Sequence, residues 1–329
     1  MTRDQPPVRA SRPGAAREGQ EPAFPIRLLA LDIDGTLVSD DPGVPPRTAA
    51  AIAEAVRRGI HVSLATGRMA SSAQRFADEL GLTGQIISYQ GALVRDAAPP
   101  GLGRDGRRRL GRLRFHRTLA PEVARAAIRW SLEHGLEPHV NHLETIVIPS
   151  WSPYVEDYSR FLGTHAHLVD DLEAYVERPV TKVISVADAP VPMTVLPEAR
   201  RAFAGRADPT VSHPRFLEFV APGVSKGAAL TRLARSLGVP LAATMAIGDN
   251  MNDLEMLAAV GHGVAMPSAP PDVRAAARYL APPLEDDGAA AMIESLVLAP
   301  AAEARARARI LADEAAAANA HRARFLARG

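Results

Sequence analysis

Short apolar runs bounded by turn-forming residues recur along the chain. They occupy Ile26–Leu31, Ile60–Leu64, Gln85–Ser88, Thr244–Ile247 and Gly263–Met266. Each is too short for a helix of ordinary length and suits a strand buried on both faces. Between them, Pro46–Arg58, Ser71–Leu80, Lys226–Leu237 and Asp253–Val260 place apolar residues at helical spacing. Buried strands alternating with amphipathic helices predict an α/β fold with a parallel sheet covered on both sides.

The rhythm changes between residues 92 and 216. A Gly-, Pro- and Arg-rich loop at Ala97–Gly111 leads into a β-like segment at Arg112–Thr118 and a helical pattern over Pro121–His134. Strand patterns at Glu137–Val140, Thr145–Pro149 and Thr181–Val186 alternate with helical ones at Asp170–Val176 and Pro197–Phe203. The expected organisation is a core formed by 25–91 and 217–298, interrupted by an inserted α+β module at 92–216. Hinges are expected near Ala92–Asp96 and Phe219–Gly223. Residues 1–24 are polar and rich in Pro, Gly and Arg, with no secretory-type apolar stretch, and read as a disordered leader. Residues 299–329 are Ala- and Arg-rich, helical by propensity and without a clear apolar stripe.

Composition narrows the classes. Of 329 residues, 47% are hydrophobic, enough for a substantial core, and 38 basic residues nearly balance 37 acidic ones. That balance offers no global attraction for nucleic acid or an anionic membrane. The tail arginines, Arg305, Arg307, Arg309, Arg322, Arg324 and Arg328, have no interleaved aromatic ladder and read as a solvated face. No apolar run is long enough to span a bilayer, so a cytoplasmic location is expected. With no cysteine in the chain, thiol catalysis and thiolate metal sites are excluded, and any metal must be held by oxygen or imidazole.

Four segments carry candidate chemistry, three of them at strand ends, where open parallel sheets form their ligand crevice. Asp32-Ile33-Asp34-Gly35-Thr36 follows the first strand. Two carboxylates two residues apart can face one crevice, one attacking phosphorus while the other moves protons; Asp-Gly is equally a common turn. Thr66-Gly67-Arg68 follows the second strand, where a hydroxyl and accessible backbone amides suit a phosphoryl oxygen, or form an ordinary strand-to-helix turn. Lys226 opens a helix, where a cation opposes the macrodipole by about 0.3–1 kcal/mol; nearby anions would explain its place, although most lysines are simply solvated. Gly248-Asp249-Asn250-Met251-Asn252-Asp253 offers several oxygen ligands for a hard cation. Asn252 or Asp253 could cap the next helix, but capping leaves Asp249 unexplained.

The order of these segments resembles the haloacid dehalogenase-like hydrolase superfamily, and within it the Cof-type, sugar-phosphatase-like branch with a C2B cap. The resemblance covers roughly residues 26–298 and includes Ile87–Ala92, Val264–Met266 and Glu285–Gly288. It implies a Rossmann-like parallel-sheet core with an inserted α+β cap domain. It implies a phosphatase acting on small phosphorylated metabolites through an aspartyl phosphate, as a monomer or homodimer. Asp32 would be the nucleophile and Asp34 the acid/base. Thr66, Gly67 and Lys226 would hold the phosphoryl group. Asp32, the Asp34 carbonyl and Asp249 would bind Mg2+, with Asn252 and Asp253 close by. Arg68, Gln90, Gly91, His139 and Asn141 are candidate substrate contacts. Two departures concern substrate: Gln90 stands where the family usually has Asn, and Pro267-Ser268-Ala269 stands where Gly-Asn-Ala is common. Related ion pumps carry Thr at the position of Asp34, so Asp34 argues for hydrolysis. A phosphomutase is the alternative enzyme, although its usual cap is smaller and helical. A metabolite-binding protein on the same fold is the non-enzymatic alternative, and it would gain nothing from a nucleophile–acid pair.

Overall fold

The computed structural model describes residues 22–39, 43–103, 106, 108–156 and 166–326. Its large sheet begins with β1 (Leu28–Leu31), β2 (His61–Ala65), β3 (Gln85–Ser88), β4 (Leu93–Asp96) and β5 (Leu113–His116). A second sheet then follows, from β6 (Glu137–His142), β7 (Thr145–Ile148), β8 (Ala166–Leu168), β9 (Lys182–Val186), β10 (Asp208–His213) and β11 (Phe216–Val220). The chain returns to the large sheet with β12 (Thr244–Gly248), β13 (His262–Ala265) and β14 (Tyr279–Leu280).

The large sheet runs β14-β13-β12-β1-β2-β3-β4-β5. From β14 to β3 every pairing is parallel, and β4 and β5 add antiparallel strands at one edge. Sequence order therefore reverses at the β1–β12 pair, where Leu31 lies opposite Ile247. β1 shows why both faces must be covered. Leu29 and Leu31 enter one buried cluster, with Ile52, Phe76 and Ile247, while Leu28 and Ala30 enter another, with Leu230, Leu233 and Met256. The helices supplying these layers are α1 (Pro46–Arg57) and α2 (Ala70–Glu79) on the first face. Two helices of the inserted module follow in sequence, α3 (Pro121–Glu133) and α4 (Val191–Ala202). The second face is covered by α5 (Lys226–Ser236) and α6 (Leu254–Ala259). Truncating any one of these fully buried leucines to Ala costs about 2–5 kcal/mol.

The small sheet, ordered β10-β11-β9-β6-β7-β8, is antiparallel except at β7–β8. One face packs on α3 and α4 through Ala127, Trp130, Leu196, Phe203 and Phe219. Its other face is also buried: Ile146, Ile148, Ile184, Val186 and Val220 meet Met69 and Tyr89 from the large sheet's loops and Leu93 at the start of β4.

The boundaries expected at 92 and 217 do not coincide with the sheets. β4 and β5 lengthen the large sheet, and β11 pairs with β9 and β10 in the small one. Both expected hinge segments thus contain paired strand, and the chain crosses between sheets after His116 and after Val220. β4, β8, β10, β11 and β14 had no counterpart in the sequence pattern. Part of the expected leader, residues 1–21, lies outside the described residues; Ala23 N donates to Ala242 O at 2.9 Å, and the Phe24 ring stands edge-on to His262. The tail forms one helix, α7 (Ala301–Leu326), which packs beside β14. It does have a contact stripe, made of Ala304, Ala308 and Ala315, whose small side chains allow close approach. No described helix is long and apolar enough to cross a membrane.

Candidate active site

Where the strand order reverses, the chain leaves β1 and β12 side by side, and the crevice beyond their carboxyl ends is the expected ligand position. Asp32 follows β1 and continues the sheet, its backbone N–H donating to Ile247 O at 3.1 Å. Asp249 follows β12, and the Thr36 hydroxyl donates to its Oδ1 at 3.0 Å. This approach depends on Gly35: at φ +79° it turns the chain, and a Cβ there would lie 2.3 Å from Asp249 Oδ2.

Lys226 enters from the first turn of α5 and is fully buried. Its Nζ donates to Asp32 Oδ1 at 2.8 Å and to Asp253 Oδ1 at 2.7 Å. Burial alone would favour a neutral amine, but the charges of Asp253 and Asp32 outweigh it and hold the pKa above the usual lysine range. The helix therefore tolerates a cation at its N-terminus because two carboxylates face it. The other oxygen of Asp253 accepts the backbone N–H groups of Asp249 (3.0 Å) and Asn250 (3.1 Å). Asp253 thus shapes the loop that aims Asp249.

Carboxylate oxygens of Asp32, Asp249 and Asp253 lie within 4.8 Å of one another. Burial, then the charge of Asp253, pushes Asp32 well above the ordinary carboxylate range, with Lys226 opposing. The same causes push Asp249 up to about 7. One ammonium does not balance three carboxylates. An all-oxygen set carrying surplus negative charge fits a hard divalent cation such as Mg2+. With both Asp253 oxygens engaged, Asp32 and Asp249 are the carboxylates suited to hold it.

The second loop supplies a fork. Arg68 Nη2 donates to Asp34 Oδ1 at 2.6 Å and Nε to Oδ2 at 2.9 Å, while Nη1 reaches Ser72 Oγ at 3.1 Å. Thr66 Oγ1 accepts the Arg68 N–H at 3.1 Å, which leaves its own proton to donate elsewhere. Gln90, on the loop after β3, bridges outward: its amide donates to Glu218 of β11 and accepts from Asn252. Gly91 packs against the Ser225 carbonyl at the start of α5.

A cavity of about 400 Å³ lies between these loops and the small sheet. Asp32, Asp34, Gly67, Arg68, Asp249 and Asn252 form its floor. Its roof is formed by Lys182 and Ile184 of β9 and by Ser212, His213, Phe216 and Glu218 of the β10–β11 hairpin. Thr66 and Lys226 are completely buried and are not among the lining residues. His139 and Asn141 are not among the lining residues. In the sheet register His139 lies opposite Ile184 and Asn141 opposite Lys182, so both sit one strand further out. His139 is instead paired with Glu137 at 2.7 Å. The roof residues were missed because Glu218 reads as a single polar interruption in the apolar run Phe216–Val220. Its signal is a charge inside an otherwise buried strand.

A family described as haloacid dehalogenase-like hydrolase matches residues 29–293. An HMP-PP phosphatase of Serratia proteamaculans is 33% identical over 248 residues, covering 75% of this chain and 86% of that protein. The crystal structure of a haloacid dehalogenase-like hydrolase from Bacteroides thetaiotaomicron superposes with a TM-score of 0.69 at 28% identity, covering 82% of this chain and 99% of the other. A sugar phosphatase of haloacid dehalogenase subclass IIB shares the fold, with a TM-score of 0.70 at 23% identity over 82% of this chain and 98% of its own.

Proposed function

Because the chain belongs to the haloacid dehalogenase-like hydrolases, we propose that it is a Mg2+-dependent phosphatase that hydrolyses small phosphomonoesters, such as a sugar phosphate or similar metabolite, through an aspartyl phosphate on Asp32. The observation that carries this reading is the meeting of Asp32, buried against Lys226, with Asp249 and with an Asp34 held on the Arg68 fork. The HMP-PP phosphatase relative supports a small phosphorylated metabolite as substrate.

In the first step an Asp32 oxygen bonds to phosphorus as the bond to the ester oxygen breaks. Asp34, as the carboxylic acid, gives its proton to the departing alkoxide. Asp34 carboxylate then takes a proton from water, whose oxygen attacks phosphorus. The bond to Asp32 breaks, releasing phosphate and restoring the carboxylate. Arg68 can serve both stages by passing from Asp34 to the phosphoryl oxygens, which frees Asp34 to carry the proton. Lys226 stays cationic and offsets charge that grows on the transferring group. Mg2+, held by Asp32, Asp249 and the Asp34 carbonyl, would supply Lewis-acid stabilisation of that charge.

The test combines a panel of phosphorylated metabolites with acid quenching and mass spectrometry. Wild-type protein with Mg2+ should release phosphate from at least one metabolite and carry a phosphoryl adduct on the peptide containing Asp32. Asp32→Asn should lose turnover on the order of 10⁴-fold or more. Turnover by folded Asp32→Asn close to wild type would overturn the mechanism.

A further inference from the structure

Gln90 occupies an expensive conformation. Its φ is +58°, a left-handed region where Asn or Gly is tolerated better. Gly67 lies against its side chain, and a Cβ there would come within 2.3 Å of Gln90 Nε2. Two features of the backbone thus accommodate this one amide, which spans two elements. Nε2 donates to Glu218 Oε1 at 3.2 Å, and Oε1 accepts from Asn252 Nδ2 at 2.9 Å.

The polarity of the chain of contacts follows from its far end. Glu218 is buried and takes Lys182 Nζ on Oε2 at 2.7 Å and the Ser212 hydroxyl on Oε1. An ionised carboxylate only accepts, so Gln90 must turn its NH2 toward Glu218 and its carbonyl toward Asn252. Asn252 must then turn its own NH2 toward Gln90. Its Oδ1 is left aimed elsewhere, buried and without a partner among the described residues. A buried acceptor without a donor or cation is destabilising, which marks a place meant to be filled. Asn252 lies on the Asp249–Asp253 loop and on the cavity wall.

We propose that Glu218 and Gln90 are positioning residues: the roof carboxylate orients two amides in series, so that Asn252 Oδ1 faces the carboxylate cluster as an acceptor for the bound cation or its water. The relay makes the metal loop complete only when the small sheet is seated on the core. It rests on the Mg2+-site reading above, and its test is a binding measurement that needs no turnover.

The measurement is Mg2+ titration calorimetry on the full chain, with melting temperature as the folding control. Gln90→Glu removes the donor facing Glu218 and should weaken Mg2+ binding about tenfold, the scale of losing one or two hydrogen bonds. Gln90→Asn is one methylene too short to span both partners but suits the left-handed backbone, so it should fold as wild type and also weaken Mg2+ binding. The exchange Gln90→Glu with Glu218→Gln restores a donor opposite an acceptor and leaves an oxygen for Asn252. It should return affinity to within about threefold of wild type. Unchanged Mg2+ affinity in Gln90→Asn, or a double variant no better than Gln90→Glu, would overturn the relay. Intact Mg2+ behaviour in a protein that releases no phosphate would instead overturn the phosphatase reading and leave the relay standing.

Discussion

Lys226 and Lys182 are both buried lysines paired with carboxylates, yet their surroundings are opposite in kind. Lys226 meets Asp32 and Asp253, with Asp249 in the same cluster, so negative charge exceeds positive. Lys182 meets Glu218, and that pair also takes the Gly67 carbonyl at 3.4 Å, the Ser212 hydroxyl, the Gln90 amide and the face of the Tyr89 ring. A balanced buried pair needs nothing more from solution, whereas a surplus of buried carboxylate is stable only if protons or a cation are taken up. The first lysine therefore sits in a cluster with surplus negative charge, the second beside a buried carboxylate partner.

Replacing each lysine by Met breaks the comparison most directly. Lys226→Met should lower turnover on the order of 10³-fold, the scale of removing a preorganised charge at the reacting group. It should also increase the stabilisation produced by Mg2+, because the cation then meets uncompensated carboxylates. Lys182→Met leaves Glu218 buried without this cation and should cost about 3–5 kcal/mol of stability. Its Mg2+ stabilisation should show no increase of the kind expected for Lys226→Met. Thermal unfolding of both variants with and without Mg2+ decides the matter; equal Mg2+ effects in the two would erase the distinction.

A smaller effect sharpens it through pH. The folded pKa of Asp249 is raised to about 7 from an ordinary value of 3.8, chiefly by burial. In metal-free protein this group holds its proton more tightly folded than unfolded. Its contribution to stability is therefore fully present below about pH 4 and lost as pH rises through about 7. Asp32 shifts in the same direction. Subtracting the denaturation profile of Asp249→Asn from that of wild type, in chelator, should show a difference that falls across this window. Mg2+ should diminish the fall, because metal binding favours the ionised carboxylates. A difference profile that is flat in chelator would contradict the surplus-charge account. The smallest effect is expected at the exposed Arg307–Glu303 pair on α7, which water already screens. Arg307→Ala should leave melting temperature and turnover unchanged.

The meeting of Asp32, Lys226 and Asp249 was legible because its logic is local. A short buried strand followed by Asp-x-Asp-Gly-Thr, and another followed by Gly-Asp, announce strand ends at which charge is gathered. The roof was not legible, for a reason found in β11. Alternation along Phe216–Val220 places Leu217 and Phe219 in the module's own core and Glu218 on the opposite face. Read alone, that face would be wet; whether it is depends on what docks against it, and here the large sheet's loops do. His139 and Asn141 failed differently. They share a face with the roof, but the order β11-β9-β6 puts Lys182 and Ile184 nearer the cavity, and sheet order among non-consecutive strands is not written locally. The tail concealed its contact stripe because its contacts are alanines, which measure as weakly apolar yet pack closely.

The two carboxylates that would hold the metal come from opposite sides of the insertion, and the Thr36–Asp249 hydrogen bond closes a loop of 213 residues. On a ribosome, β1 is therefore made long before its neighbour β12. At about 5–20 residues per second, roughly 10–40 s pass before the second partner emerges. Meanwhile the small sheet and its helices, contiguous from Leu119 to Val220, have all their own contacts available. The order of synthesis thus favours an inserted module that folds first, and a carboxylate cluster that comes into being only as the last third of the chain is delivered.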